Sequence, residues 1–105
     1  MVKIVNLRDK TVKYDHYIGR ANKWRGLPGS KWANPFPMVN EEDRRRVLDA
    51  YRAHILNTPA LYDALEELDG LTLACWCAPK KCHGDILIEL LEKKRLDKAN
   101  TSVTL

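Results

Sequence analysis

No apolar run in this chain approaches the length of a membrane span, so nothing in it reads as a transmembrane helix. The first residues, Met1-Val2-Lys3-Ile4-Val5-Asn6, show no apolar segment of signal-peptide type and no small-residue cleavage site. Cysteine is scarce, and its count of three is odd, which disfavours a framework built on disulfides alone. These absences lead us to expect a cytoplasmic protein, apart from membranes, with reduced thiols. No internal repeat and no low-complexity segment is found, and 105 residues make one domain with room for a single core.

What is present fits an ordinary globular chain, 45% hydrophobic and 30% charged. The net charge of +4 is unevenly spread. Residues 1–40 hold Lys3, Arg8, Lys10, Lys13, Arg20, Lys23, Arg25 and Lys31 against Asp9 and Asp15, a local excess of +6, so the remainder is slightly acidic. A basic N-terminal region suits an anionic partner, either a phosphorylated small molecule or nucleic acid. It equally suits a solvated basic face.

Apolar and polar residues alternate over residues 2–7, which predicts a first strand. Val12, Tyr14, Tyr17 and Ile18 predict a second strand over residues 11–19. From Ala21 to Asn40 no period is visible; three prolines, two glycines, Trp24, Trp32 and Phe36 lie there, in a loop long enough to suggest a function. Asn40 followed by Glu41, Glu42 and Asp43 predicts a helix start. Val47, Leu48, Tyr51 and Ile55 then supply its apolar stripe. Thr58 and Pro59 predict the cap and first position of a second helix over residues 60–68. Leu71-Thr72-Leu73-Ala74 reads as a buried strand, and a last helix is expected from His83 or Gly84 to Lys94 or Leu96. The expected fold class is therefore α/β: a small sheet of three or four strands with helices in two or three layers, minimally Rossmann-like. Residues 1–97 form the domain and residues 98–105 a flexible tail.

All three cysteines fall in Cys75-Trp76-Cys77-Ala78-Pro79-Lys80-Lys81-Cys82-His83-Gly84, at a strand–turn–helix corner of the kind that gathers ligands in α/β proteins. Cys82 at the helix start, beside Lys80 and Lys81, is placed to favour a thiolate and to react before Cys75 or Cys77. His83 is its candidate catalytic partner. The structural alternative is a buried small thiol with a histidine bonded into the turn. Cys75, Cys77, Cys82 and His83 also compose a Cys3His set, but Cys-x-Cys-x4-Cys-His is not a standard zinc spacing, so no metal and no cofactor is expected. The Cys-x5-Arg loop of cysteine phosphatases is absent, since the sixth residue after Cys77 is His83. Tyr17-Ile18-Gly19-Arg20 ends a strand with a glycine that permits close approach and an arginine suited to phosphate or carboxylate. In Gly29-Ser30-Lys31-Trp32-Ala33-Asn34-Pro35-Phe36, Trp32 or Phe36 offers a stacking face, Asn34 a base-reading amide and Lys31 a cation. The alternative is that these aromatics plug the loop onto the sheet. His54 on the first helix reads as structural, and Arg44-Arg45-Arg46 as local ion pairs.

Taken in order, the Tyr-Ile-Gly-Arg, Gly-Ser-Lys-Trp-Ala-Asn-Pro-Phe and Ala74-Cys75-Trp76-Cys77-Ala78-Pro79…Cys82-His83-Gly84-Asp85 motifs, with Tyr51 between them, resemble the DUF4326 family of bacteria and phages over residues 2–92. That family is a domain of unknown function, so the resemblance implies no activity. The Cys-His corner is similar, more weakly, to that of DUF488 proteins, which are Rossmann-like. Trp76-Cys77 and Gly84 stand here where that pattern has Glu and Arg, so roles of those two side chains do not carry over.

The expectation from these readings is a site for a nucleotide-like or phosphorylated small molecule. It is formed by Tyr17, Gly19, Arg20, Lys31, Trp32 and Asn34 with Cys82 and His83, and whether it serves an enzyme of nucleotide or nucleic-acid metabolism or binding alone is left open by the sequence. Two alternatives stand beside it: a non-catalytic nucleic-acid-binding module, and a zinc-bound structural domain.

Overall fold

The computed structural model of the chain describes residues 2–76 and 80–103. Three strands form one sheet: β1 (Lys3–Asn6), β2 (His16–Tyr17) and β3 (Thr72–Cys75), in the order β1-β3-β2. Both outer strands run parallel to β3, with Lys3 opposite Thr72, Asn6 opposite Cys75 and Tyr17 opposite Ala74. A central parallel strand is covered on both faces, which is why β3 is apolar, with Leu73, Ala74 and Cys75 all buried. All three strands point the same way, so their carboxyl ends share one edge of the sheet. The fold is α/β as expected, with three strands and three α-helices among the described residues.

The second strand is much shorter than the alternation over residues 11–19 suggests. Asp9 accepts hydrogen bonds at Oδ1 from the Thr11 amide and hydroxyl, at 2.9 and 2.6 Å, and curls the chain into a turn. Asp15 then exchanges two bonds with Thr72, one through its own N–H and one through its carboxylate, each 2.8 Å. A side-chain oxygen thus stands where a strand carbonyl would, and regular pairing begins only at His16.

Helix α1 (Arg44–Leu56) is preceded by a 3-10 turn over Glu41–Asp43, and Asn40 caps that turn, its Oδ1 accepting from the Asp43 amide at 3.2 Å. Val47, Leu48, Tyr51 and Ile55 are buried as their spacing requires. Helix α2 (Pro59–Ala64) tightens into a 3-10 turn over Leu65–Leu68, and Gly70, at φ +75°, turns the chain into β3. Thr58 occupies the cap position of α2, but its hydroxyl donates backward to the His54 carbonyl at 2.6 Å, so it closes α1 instead. Helix α3 (His83–Val103) buries Ile86, Leu87, Leu90 and Leu91 in the core. It continues well past the end expected at Lys94 or Leu96: no glycine or proline follows Leu96 to stop it, and Lys94 and Arg95 are held by Glu66 and Asp69. Arg52 forks onto Glu89 at 2.6 and 3.0 Å and ties α1 to α3. This contact holds the Glu89 carboxyl below its usual pKa and raises that of Arg52.

A single core cluster joins the sheet, α1, α3 and the turn after α2. Trp32 belongs to it, 3% exposed, with its carbonyl accepting from the buried Tyr51 hydroxyl at 2.7 Å. Burial, followed by the nearby Cys82, pushes the Tyr51 pKa up. Among the described residues no helix is long and apolar enough to cross a membrane.

Candidate functional site

At the carboxyl edge of the sheet, the chain leaving β2 meets the start of α3 and the first two turns of α1. Between them lies a cavity of about 220 Å³. Gly19 and Arg20 line it from the end of β2, Asn34, Phe36 and Met38 from the long loop, Arg44, Val47 and Leu48 from α1, and Cys82 and His83 from the start of α3. Parallel α/β sheets bind ligands at this edge, where strand ends and helix starts meet.

The strand end is built around a missing side chain. A Cβ on Gly19 would sit 2.3 Å from the Tyr17 hydroxyl oxygen, so only glycine lets the Tyr17 ring fold over it. The Tyr17 hydroxyl donates to the Arg20 carbonyl at 2.7 Å and accepts from Trp76 Nε1 at 3.1 Å. The close approach expected of Gly19 is therefore made by Tyr17 itself, which braces Arg20 and does not line the cavity. Arg20 Nε donates to the Asn34 carbonyl at 3.0 Å. Its two Nη groups have no acceptor among the described residues. Asn34 Oδ1 accepts from the Phe36 amide at 2.9 Å, leaving its Nδ2 amide without an acceptor among the described residues.

The corner at Cys82 is a helix cap. The Cys82 sulfur accepts from the Gly84 amide at 3.3 Å, while Asp85 accepts the Cys82 N–H at 2.8 Å. This is a variant of the capping box, with cysteine in the place of serine, its sulfur meeting the amide two residues on, and aspartate three residues on reaching back to the cap N–H. Gly84 makes room for a close approach: a Cβ there would stand 2.7 Å from Ile4 Cδ1 and 3.0 Å from Ile18 Cδ1, and those side-chain ends would have to shift to admit it. His83 Nε2 lies 2.7 Å from the Ile18 carbonyl, which can only accept, so this nitrogen carries the proton. The edge of its ring stands against Tyr51, 5.2 Å between centroids.

These bonds change the reading of the cysteines. Cys82 is 2% exposed and Cys75 1%, with their sulfurs 3.5 Å apart, so access does not single out Cys82 as the first thiol to react. Cys77 lies outside the described residues. Among the described residues no group of three or more His, Cys, Asp or Glu side chains is placed to hold a metal ion.

Of the ligand residues expected from the sequence, Gly19, Arg20 and Asn34 reach the cavity with Cys82 and His83. Lys31 and Trp32 do not. Trp32 is a core residue, and Lys31 pairs with Glu67 at 2.5 Å, 5.4 Å from the Trp32 ring centre. The aromatic loop plugs the fold through Trp32, while Phe36 remains at the cavity with its ring edge-on to His54 at 6.0 Å. The α1 wall was not foreseen. The sequence presents Arg44 only as an ion-pair partner, and it does fork onto Glu41 at 2.9 Å through both Nε and Nη2. It also reaches the Lys81 carbonyl from Nη1 at 2.5 Å, stitching α1 to the approach of α3. The overlooked signal was the i, i+3, i+4 spacing of Arg44, Val47 and Leu48, which puts a cation and two apolar groups on one helix face.

A larger groove of about 600 Å³ shares Arg44 and Leu48 with this cavity. Two of the four cations that line it are neutralised in place, Arg44 by Glu41 and Arg52 by Asp49 and Glu89. The cavity at Arg20 is the better candidate because its guanidinium is positioned and still has donors to offer.

The family described as "Domain of unknown function (DUF4326)" matches residues 5–93. The chain is also similar to an uncharacterized protein of Acanthamoeba polyphaga mimivirus, 34% identical over 95 residues, covering 81% of this chain and 72% of that protein. No solved structure matches at a significant level.

Proposed function

The chain belongs to the DUF4326 family, and from the geometry of its cavity we propose that it binds a small anionic ligand of nucleotide type. The observation that carries this reading is Arg20. Its Nε is fixed on the Asn34 carbonyl, which leaves both Nη groups as a fork for a phosphate or carboxylate. Phe36, Met38, Val47 and Leu48 supply an apolar wall for a ring. The Asn34 amide is available to read that ring's polar edge. Cys82 and His83 close the far side, and in this reading they shape the wall: the thiol is 2% exposed and its sulfur serves the helix cap. The same reading keeps the protein in the cytoplasm, where Cys75 and Cys82 stay reduced.

Calorimetry and thermal-shift measurements with the four common nucleoside monophosphates and with inorganic phosphate test this. At least one monophosphate should bind and raise the melting temperature. Arg20→Ala should weaken binding about tenfold or more, since hydrogen bonds to charged groups are worth about 1.5–3 kcal/mol. If none of them binds at about 1 mM, the reading is wrong.

A further inference from the structure

Trp24 is 98% exposed, at the tip of a loop that is nonetheless tightly closed. Asn22 and Leu27 exchange two backbone hydrogen bonds, at 2.8 and 2.9 Å. Asn22 Oδ1 accepts from the Arg25 amide at 3.3 Å. Gly26, at φ +64°, turns its own amide onto the Lys23 carbonyl at 3.3 Å. The 3-10 turn Lys23–Arg25 is thus fixed at both ends, with the indole outside it. Arg25 folds inward, its guanidinium 5.3 Å from the Trp76 ring centre and donating to the Leu7 carbonyl at 3.5 Å. An ordered tip that leaves a tryptophan wholly in water costs the chain solubility and gives its core nothing.

The surroundings indicate what covers it. A groove of about 150 Å³ separates this loop from the segment after β1, with Lys10, Tyr14 and Arg25 on its walls, and Tyr14 is 39% exposed. Arg8, Lys10, Lys13 and Lys23 are exposed and have no carboxylate partner among the described residues. Elsewhere Lys31, Arg46, Arg52, Lys80 and Arg95 each face a carboxylate, although the exposed Lys3 and Arg45 also have no ion-pair partner among the described residues; what sets this face apart is that four such cations gather beside exposed aromatic rings. The groove's own carboxylate, Asp9, is engaged by Thr11, whose bonds lower its pKa.

We propose that this face binds single-stranded nucleic acid. One base stacks on Trp24 and a second lies against Tyr14, while Arg8, Lys10, Lys13 and Lys23 meet the phosphates between them. Unpaired cations around exposed aromatic faces complement an anionic chain whose bases have free π-faces, and a duplex hides those faces. The surface shares no residue with the Arg20 cavity and does not rest on the reading given there.

Fluorescence anisotropy of the full chain with a labelled oligothymidylate of about 12 nucleotides tests this, alongside the same strand in a duplex. The single strand should bind more tightly than the duplex, and affinity should fall as salt rises. Trp24→Ala should weaken binding about tenfold, because stacking is worth about 1–3 kcal/mol per base, and Trp24→Phe should restore most of it. Lys10→Gln combined with Lys23→Gln should reduce the log–log salt slope by about 1.4. All variants should melt with the wild type. The proposal is overturned if no strand binds at low salt, if the duplex binds better, or if Trp24→Ala binds as the wild type does. Binding to phosphatidylserine vesicles without oligonucleotide binding would overturn it in favour of a membrane surface.

Discussion

Most of the Cys-His-Gly-Asp motif is explained at the level of single side chains by the start of α3. Cys82 and Asp85 satisfy each other's amide neighbourhood, His83 bonds the end of β2, and Gly84 lets the helix touch the sheet. The motif's position at a strand–turn–helix corner was legible from the sequence. Its capping role was not, because cysteine is not among the usual capping residues and the reciprocal partner is an aspartate in place of Glu or Gln. In a Cys77→Ser background, Cys75 and Cys82 should resist a thiol reagent until the protein unfolds, as both are buried. Asp85→Ala removes the cap's second half. It should destabilise the protein by about 1 kcal/mol in urea titration and speed the native-state labelling of Cys82. Fast labelling of Cys82 with Asp85 intact would show that the sulfur is open to solvent and would return it to the list of nucleophiles.

At the scale of elements, what the sequence disclosed depends on whether an element's reasons are local. Helix α1 was legible because the capped, acidic 3-10 turn that leads into it and its own apolar stripe are contiguous in sequence. The second strand was overestimated because its end is decided by Thr72, 57 positions from Asp15. The loop over residues 21–40 was legible as irregular and aromatic, but burial separates Trp32 from Trp24, and nothing in the local sequence ranks the two. The entry to α1 also carries a pH dependence. Hydrogen bonds from Arg44, and then Lys80, lower the Glu41 pKa from 4.5 to about 2. A depressed carboxyl contributes stability that is complete above its unfolded pKa and is lost as pH falls toward its folded one. Glu41→Gln should therefore flatten the acid side of a melting-temperature profile between pH 4.5 and about 2. Because Glu41 is exposed, the difference should shrink in about 1 M salt. An unchanged acid limb in the variant would mean that the Arg44 and Lys80 contacts are not maintained in solution.

For the whole molecule, the order β1-β3-β2 matters more than any single contact. The two outer strands are neighbours in sequence and cannot pair with each other; each waits for β3, which follows both α1 and α2. The cavity inherits this dependence, since Arg20, Arg44 and Cys82 come from three separate elements and meet only when the sheet is complete. Arg20 and Cys82 stand in sequence motifs of their own, whereas the Arg44, Val47 and Leu48 face is visible in the spacing but its place beside them is set only by the assembled sheet. It follows that the protein should unfold as one unit. Leu73, fully buried on the central strand, holds both sides of the sheet, and Leu73→Ala should cost about 2–5 kcal/mol. Ile4→Val on an outer strand should cost about 0.5–1.5 kcal/mol. In urea, tryptophan fluorescence, which includes Trp32 in the core, and far-ultraviolet circular dichroism should report the same midpoint for wild type and both variants. Separate midpoints in Leu73→Ala would show that the helices hold together without the sheet. Ligand binding at Arg20 would then be lost at a lower urea concentration than helicity.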